Sequence, residues 1–344
     1  MCFGYDGDAA LRESLERKGA SRRGLMRGAV AGAAGATMLT AGSPAFAAKP
    51  GKGPGHGHGH GRQREVPTDL ISIQLYTLRA AMTSDVSIKQ QLDQLATFGY
   101  QRVERAGLYP AATGLDTAAK LKAEFDARGI WASSSHDGIS TTTPNGPVLD
   151  PVALNKKLDD AQTFRQKYIN VPYLNSPNKS DWQMWAEQMN TEARVARQRG
   201  LRYGYHNHAH EFTIKFPDGT TPWDVLTSEL DPQLVHLEVD LYWAYTAGVN
   251  TGAVDPLAFA NEVIRTAPQA VRQYHVKDRH GADAAVLYGQ TPGDMADLGL
   301  GVIDFPAIFD KHQVEEYIVE NDTPDFKPAA TANTGFRYLE GLDF

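Results

Sequence analysis

Asp240, His275 and Glu320 each stand at the end of a short run rich in β-branched residues, and a fourth such run ends in Tyr205-His206-Asn207-His208. Carboxylates and imidazoles are ligands for divalent metal ions, and their recurrence at one end of successive strand-like runs marks a built site. Counted from His206, the intervals are 34, 35 and 45 residues. Such intervals match one strand plus one helix in an eight-fold barrel of roughly 250 residues. A cation held there would act as a Lewis acid beside whatever base the neighbouring strands supply. The reading requires the tips of Asp240, His275 and Glu320 to lie within about 8 Å of one another, since they must share one coordination sphere.

The elements that would position these residues are legible as alternating strand and helix signals after Val66. Strands are expected at 71–77, 101–104, 130–135, 168–172, 201–206, 235–240, 271–277 and 317–320. Helical spacing runs from Val86 to Phe98, stopping at Gly99, and recurs at 117–128, 152–165, 181–199 and 256–266, with another start at Phe305. This pattern predicts an α/β fold, a single (β/α)8 barrel over residues 66–344. No Gly-x-Gly-x-x-Gly follows the first strand, which argues against an open dinucleotide-binding sheet. Parity places the site: in His236-Leu237-Glu238-Val239-Asp240 the polar residues share one face, and His275 shares a face with Lys277. The carboxyl ends of barrel strands are where such folds carry their chemistry.

The amino terminus reads as export signal and tether rather than fold. Ser21-Arg22-Arg23-Gly24-Leu25-Met26 is a twin-arginine pattern, followed by an uncharged Ala/Gly run and Ala45-Phe46-Ala47. Residues 1–47 are therefore expected to be a signal peptide, and 48–65 a flexible Gly/His-rich linker carrying His56, His58 and His60. The expectation is export by the twin-arginine machinery to the periplasm or beyond, with no membrane span in the mature protein. The 344-residue chain has a net charge of −7, while its first 65 residues hold ten Lys/Arg against five Asp/Glu. What remains is strongly acidic and should repel nucleic acid. Cys2 is the sole cysteine, so an intrachain disulfide is excluded. Between Arg279 and Asp297 the chain lacks periodicity and is punctuated by glycine and proline, as expected of a loop covering the barrel mouth.

An ordered set of segments resembles the xylose isomerase-like TIM barrels, the sugar phosphate isomerase and epimerase family. They are Ser72-Ile73-Gln74-Leu75-Tyr76-Thr77-Leu78-Arg79, Tyr205-His206-Asn207-His208 with Glu211-Phe212, Asp240-Leu241-Tyr242-Trp243, His275-Val276-Lys277-Asp278, Gly299 to Phe305, and Val319-Glu320-Asn321-Asp322. The resemblance implies one divalent ion, with Asp240, His275 and Glu320 as its second to fourth ligands and His206 where relatives carry a glutamate. His208 shares the parity of His206 and is the alternative first ligand. Losing a carboxylate there favours Mn, Zn, Co or Fe over Mg. It also removes one of the two carboxylates that move protons in the family's epimerases.

The chemistry expected is proton abstraction beside a carbonyl, with the enediolate stabilised by the ion. Candidate catalytic groups are Glu320 in a double role, Glu211, His136 and Lys277. Gln74, Tyr76, Glu104, His208 and Trp243 are the expected substrate walls. The leading expectation is an isomerase or epimerase acting on a keto-sugar or related polyol. Its alternatives are a lyase or hydratase on 3-keto-glycosides or inosose-like compounds, and a non-catalytic sugar-binding barrel; an endonuclease is a fourth reading, opposed by the acidic charge.

Overall fold

Several helix starts are written as a capping residue followed by proline. Asp150-Pro151, Thr221-Pro222 and Asp255-Pro256 each open a helix whose first free backbone N–H groups are met by the capping side chain. Ser84 and Ser87 cap another reciprocally, and Gly99, at φ 109°, ends it. In the computed structural model, which describes residues 64–143, 146–281, 294–324 and 327–344, these helices alternate with parallel strands. The signal segment, most of the linker and residues 282–293 of the expected mouth loop lie outside the described residues.

In chain order the elements are β1 (Ile71–Ile73), α1 (Asp85–Phe98), β2 (Arg102–Arg105), α2 (Ala118–Asp126), β3 (Trp131–Ser135), α3 (Pro151–Phe164), β4 (Tyr168–Val171) and α4 (Lys179–Gln198). There follow β5 (Arg202–His206), α5 (His210–Thr213), α6 (Pro222–Glu229), β6 (Val235–Asp240), α7 (Leu241–Asn250), α8 (Pro256–Thr266) and β7 (Val271–Val276). The chain ends with the short antiparallel pair β8 (Asp278–Arg279) and β9 (Met295–Ala296), then α9 (Phe305–Phe309), β10 (Glu316–Val319) and α10 (Pro328–Glu340). No helix among the described residues is long and apolar enough to cross a membrane.

Six strands form one parallel ladder in the order β1-β10-β7-β6-β5-β4, and β2 pairs with β3 in a second. Single parallel bridges, Gln74 with Glu104 and His136 with Asn170, join the two ladders into a TIM-barrel-like arrangement. Three of the four bridging residues, Gln74, Glu104 and His136, are ones predicted from sequence for the site. The first strand is shorter than expected, because the Gln74 side chain accepts from the Tyr76 N–H and starts a 3-10 turn over Leu75–Leu78. Arg64 and Glu65, expected in the tether, instead belong to the fold: Arg64 exchanges backbone hydrogen bonds with Phe344, and Glu65 bridges Asp343.

Alternation sorts the strand residues into two environments. Val103, Ile169, Val171, Tyr203, Tyr205, Leu237, Val239, Tyr274, Val276 and Val319 belong to the buried apolar core. The opposite parity is polar: Gln74, Glu104, Asn170, His206, Glu238, Asp240, Gln273 and His275 are also buried. Buried polar groups are tolerable only when bonded to one another. Here Asn170 Nδ2 donates to Glu238 (2.7 Å) and Gln273 (2.9 Å), and Gln273 Nε2 donates to Glu316 (3.0 Å). Gly204 makes room for this layer, since a Cβ there would meet Asn170 Oδ1 at 2.3 Å and His236 Nε2 at 2.5 Å.

Candidate functional site

Asp240 ends β6 and caps α7, so one carboxylate oxygen is committed locally: Oδ1 accepts from the Trp243 N–H at 2.9 Å. Its backbone is clamped by Asn207, whose Oδ1 accepts from the Asp240 N–H at 3.1 Å. The other oxygen, Oδ2, lies 3.0 Å from Lys277 Nζ and 3.7 Å from His206 Nε2. On β7, His275 Nδ1 lies 2.6 Å from Glu320 Oε2, while its Nε2 lies 2.7 Å from Glu104 Oε1. Asp240, His275 and Glu320 each present a ligand atom within 4.8 Å of the others, inside the separation a shared ion requires.

Burial and charge set the protonation of this group. Burial pushes the Asp240 carboxyl up to about 6, against the pull of Lys277 and His275. For His275, burial works downward, yet Glu238, Glu320 and Glu104 overcome it and hold the imidazolium well above its ordinary value. Burial raises Glu320, but Lys277 and His275 outweigh that and keep it well below the usual carboxylate range. Lys277 lies 2.6 Å from Glu320 Oε2 and 3.2 Å from Asp322 Oδ2. Burial lowers it, and the charges of Asp240, Asp322 and Glu320 more than reverse this. Its ammonium is thus cationic among three carboxylates.

His206 is 1% exposed and stands with its ring centroid 4.4 Å from that of His275. Burial, then the charge of His275, holds it well below the ordinary histidine value, so it is a neutral imidazole. His208 sits further out, its ring 5.0 Å from His206 and 5.2 Å from both Trp243 and Tyr173. Trp243 also lies under Lys277 Nζ, 5.8 Å from the ring centroid. Tyr76 is half-buried beneath the Arg79 guanidinium.

Four expected groups, Glu211, Gln74, Glu104 and His136, occupy other places than a substrate wall or a base. Glu211 is fully buried, accepting from Tyr205 Oη (2.7 Å) and the His208 N–H (2.9 Å); it pins the turn that carries His206 and His208 and is not among the residues gathered around Asp240. Gln74 is fully buried and donates to Glu104 Oε1 at 2.8 Å. Glu104 itself is fully buried, holding His275 and accepting from Ser134 at 2.6 Å. His136, just past the end of β3, lies 2.7 Å from Glu238 Oε2 and is stacked on His275 with 5.0 Å between centroids.

Sequence reasoning missed Glu238, Asn170 and Asp322. Glu238 was within reach of the parity rule, since it lies two residues before Asp240 on the same face. Asp322 belongs to the Val319-Glu320-Asn321-Asp322 segment, but only its approach to Lys277 reveals a role. Asn170 carries no chemical signal in the sequence.

The donor set fits a divalent ion. Two carboxylates and an imidazole converge in a buried space, where Asp240 Oδ2 takes no hydrogen bond and has the Lys277 ammonium at 3.0 Å and His206 Nε2 at 3.7 Å as its neighbours. His275 also has the carboxylate partner, Glu104, that typically orients a ligating imidazole through its other nitrogen.

Residues 92–340 match the family model of the xylose isomerase-like TIM barrel, and the chain belongs to that family. Among characterised relatives, a protein named inosose dehydratase from Salmonella agona is 27% identical over 277 residues, spanning 74% of this chain and 88% of the relative. Another inosose dehydratase, from Glaesserella parasuis, is 27% identical over 274 residues, 74% of this chain and 89% of the relative. A structure of a sugar phosphate isomerase/epimerase from Parabacteroides distasonis superposes with a TM-score of 0.62 at 22% identity, over 79% of this chain and 93% of that one. At that identity the likeness speaks to fold alone.

Proposed function

We propose that this chain is a metal-dependent lyase that removes water, or an equivalent β-substituent, from a keto-sugar or keto-polyol of the inosose or 3-keto-glycoside class. The observation that carries this reading is Lys277 Nζ, 2.6 Å from Glu320 and 3.2 Å from Asp322 at the edge of the Asp240, His275 and Glu320 cluster. The inosose dehydratase relatives support the same class. It replaces isomerisation or epimerisation, the leading expectation, because an epimerase needs proton-moving groups on both faces of the substrate. Here His206 stands where a carboxylate would complete such a pair.

Asp240, His275 and Glu320 would hold the ion, with His206 Nε2 beside Asp240. Two carboxylates with imidazole suit Mn, Zn, Co or Fe better than Mg. When bound, the ion supplies positive charge for the oxygen of the carbonyl that activates the neighbouring C–H. His208 is the base we assign. Burial, aided by His206, His210 and Lys277, keeps it neutral, and its Nδ1 has no hydrogen-bond partner. Lys277 donates a hydrogen bond to the departing hydroxyl, and Asp322 holds the ammonium in place. The C–H bond breaks with its proton passing to His208 and its electron pair forming the C=C bond. The C–O bond breaks as the leaving oxygen takes a proton from the Lys277 ammonium and departs as water. The enol becomes a ketone by losing its O–H proton to Lys277 and taking the proton held by His208 at carbon. Trp243 offers its ring to the apolar face of the substrate.

Residues 1–47 support export by the twin-arginine route, which would expose the enzyme to unphosphorylated substrates. The test is incubation of metal-loaded protein with an inosose, a 3-keto-glycoside and simple ketoses in deuterated water. Loss of water or aglycone from the first two is expected. Deuterium incorporation with every substituent retained would return the function to isomerisation, and sugar affinity without either outcome would make it a binding protein.

A further inference from the structure

We propose that the barrel contains a second divalent transition-metal site, centred on Glu238, two residues inward of Asp240 on β6, and built with His136 and His206. It rests on the Asp240, His275 and Glu320 site holding an ion of its own. His136 Nε2 lies 2.7 Å from Glu238 Oε2 and 3.1 Å from Glu104 Oε1, and His206 Nδ1 lies 3.2 Å from the same Glu238 oxygen. Metal bonds of about 2.0–2.1 Å place neighbouring atoms of a tetrahedral set roughly 3.3 Å apart. Glu238 Oε2 lies near that spacing from both His136 Nε2 and His206 Nδ1, and the ligand atoms of the three residues all lie within 4.8 Å of one another. All come from strands or strand ends; His206 and Glu238 are almost wholly buried and the His136 side chain is 13% exposed.

The second observation is His206 Nδ1. It is buried without a hydrogen-bond partner, although a carboxylate oxygen stands 3.2 Å away. With the ring proton on Nε2, Nδ1 turns a lone pair toward a carboxylate oxygen, an arrangement that a cation between the two would satisfy. Glu238 beside it, with Glu104 beside His136, brings a charge that a divalent ion would balance.

Two sites can coexist only if no imidazole is asked to serve both, because a neutral ring has one lone pair. The geometry allows this. His275 serves the outer ion through Nδ1, which faces Glu320, while its Nε2–H goes to Glu104 at 2.7 Å. His206 then serves the inner ion through Nδ1. This division gives a reason for histidine rather than glutamate at position 206: the ring belongs to the inner set, and the outer set keeps three protein ligands and an open position for substrate.

The test counts ions in the full-length chain carrying His56→Asn, His58→Asn and His60→Asn, so that the amino-terminal histidines contribute nothing. After loading with Co(II) or Zn(II) and desalting, elemental analysis should find two ions per chain. His136→Gln and Glu238→Gln should each reduce the count to one and change the Co(II) absorption spectrum, with melting curves confirming that each variant folds. If one variant does not fold, the other carries the test. A count of one in the parent, or a count unchanged in folded His136→Gln and Glu238→Gln, overturns the inner site. Asp240→Asn tests the outer site separately: its failure to remove an ion overturns the outer reading, whatever His136→Gln shows.

Discussion

Glu104 on β2 reaches across the barrel to His275 on β7, with Oε1 2.7 Å from Nε2. The two residues are 171 positions apart in sequence and both are fully buried. Because this contact occupies one ring nitrogen, it aims the other at Glu320 and Asp240. Glu104→Gln keeps the shape but loses the charge that makes His275 a strong ligand. Metal affinity should fall about 10–100-fold, as for other carboxylate partners of ligating histidines, while the melting curve of the folded protein persists. Titration calorimetry with Zn(II) measures this, and an affinity equal to the parent's would remove the proposed role of Glu104.

Metal uptake should be proton-linked with a defined sign. Metal-free Asp240 is protonated below about 6, and His275 is held charged well above the ordinary histidine value. Both must give up protons to bind an ion, so affinity rises with pH. Below about pH 6 each displaced proton should cost roughly tenfold in apparent affinity per pH unit. Calorimetry in buffers of different ionisation enthalpy should show protons released at pH 7. In Asp240→Asn the step near 6 should vanish along with much of the affinity.

The legible part of this site was the part governed by alternation. A period of two put Asp240 and His275 inward at strand ends, and their convergence with Glu320 followed from barrel topology. Glu238 obeys the same rule one layer deeper. Partners fixed by a turn were not legible: nothing in the spacing says that Glu211 would spend both oxygens on Tyr205 and the His208 N–H. The helix α7, Leu241–Asn250, also escaped, because it is apolar on most sides and lacks the one-sided stripe that marks a surface helix. For β1 the strand signal ran past Ile73, and only the Gln74 side-chain hydrogen bond explains the early turn.

Glu316, at the start of β10, should set a pH-dependent part of the stability. Burial pushes its carboxyl up to about 7, against hydrogen bonding from Ser133 and with Glu104 adding repulsion. A folded value raised above the ordinary 4.5 means stabilisation that is complete below pH 4.5 and lost as pH rises through 7. The loss is roughly 3 kcal/mol at 1.36 kcal/mol per pH unit. Glu316→Gln removes the ionisation and can still bond Ser133 and Gln273. It should therefore be more stable than the parent at pH 8, by up to about that amount, with little advantage at pH 4.5. Urea unfolding at the two pH values decides it, and a pH-independent difference would show that ionisation of Glu316 is not the cause.

Gly204 links packing to the site most directly. Its missing Cβ leaves room for Asn170 Oδ1 and His236 Nε2, which an alanine methyl would meet at 2.3 and 2.5 Å. Neither neighbour is the free end of a flexible chain: Asn170 Nδ2 is bonded to Glu238 and Gln273. Gly204→Ala should destabilise the fold by about 1–3 kcal/mol, the usual cost of overpacking. It should also weaken metal binding by displacing Glu238 from His136 and His206. Gly200→Ala is the control, for Gly200 has φ +78° and open space around its missing side chain. That substitution should cost about 1 kcal/mol through the backbone alone and leave metal binding untouched. Were both variants to lose stability equally and keep parental metal affinity, the polar layer around Asn170 would not be what positions the site.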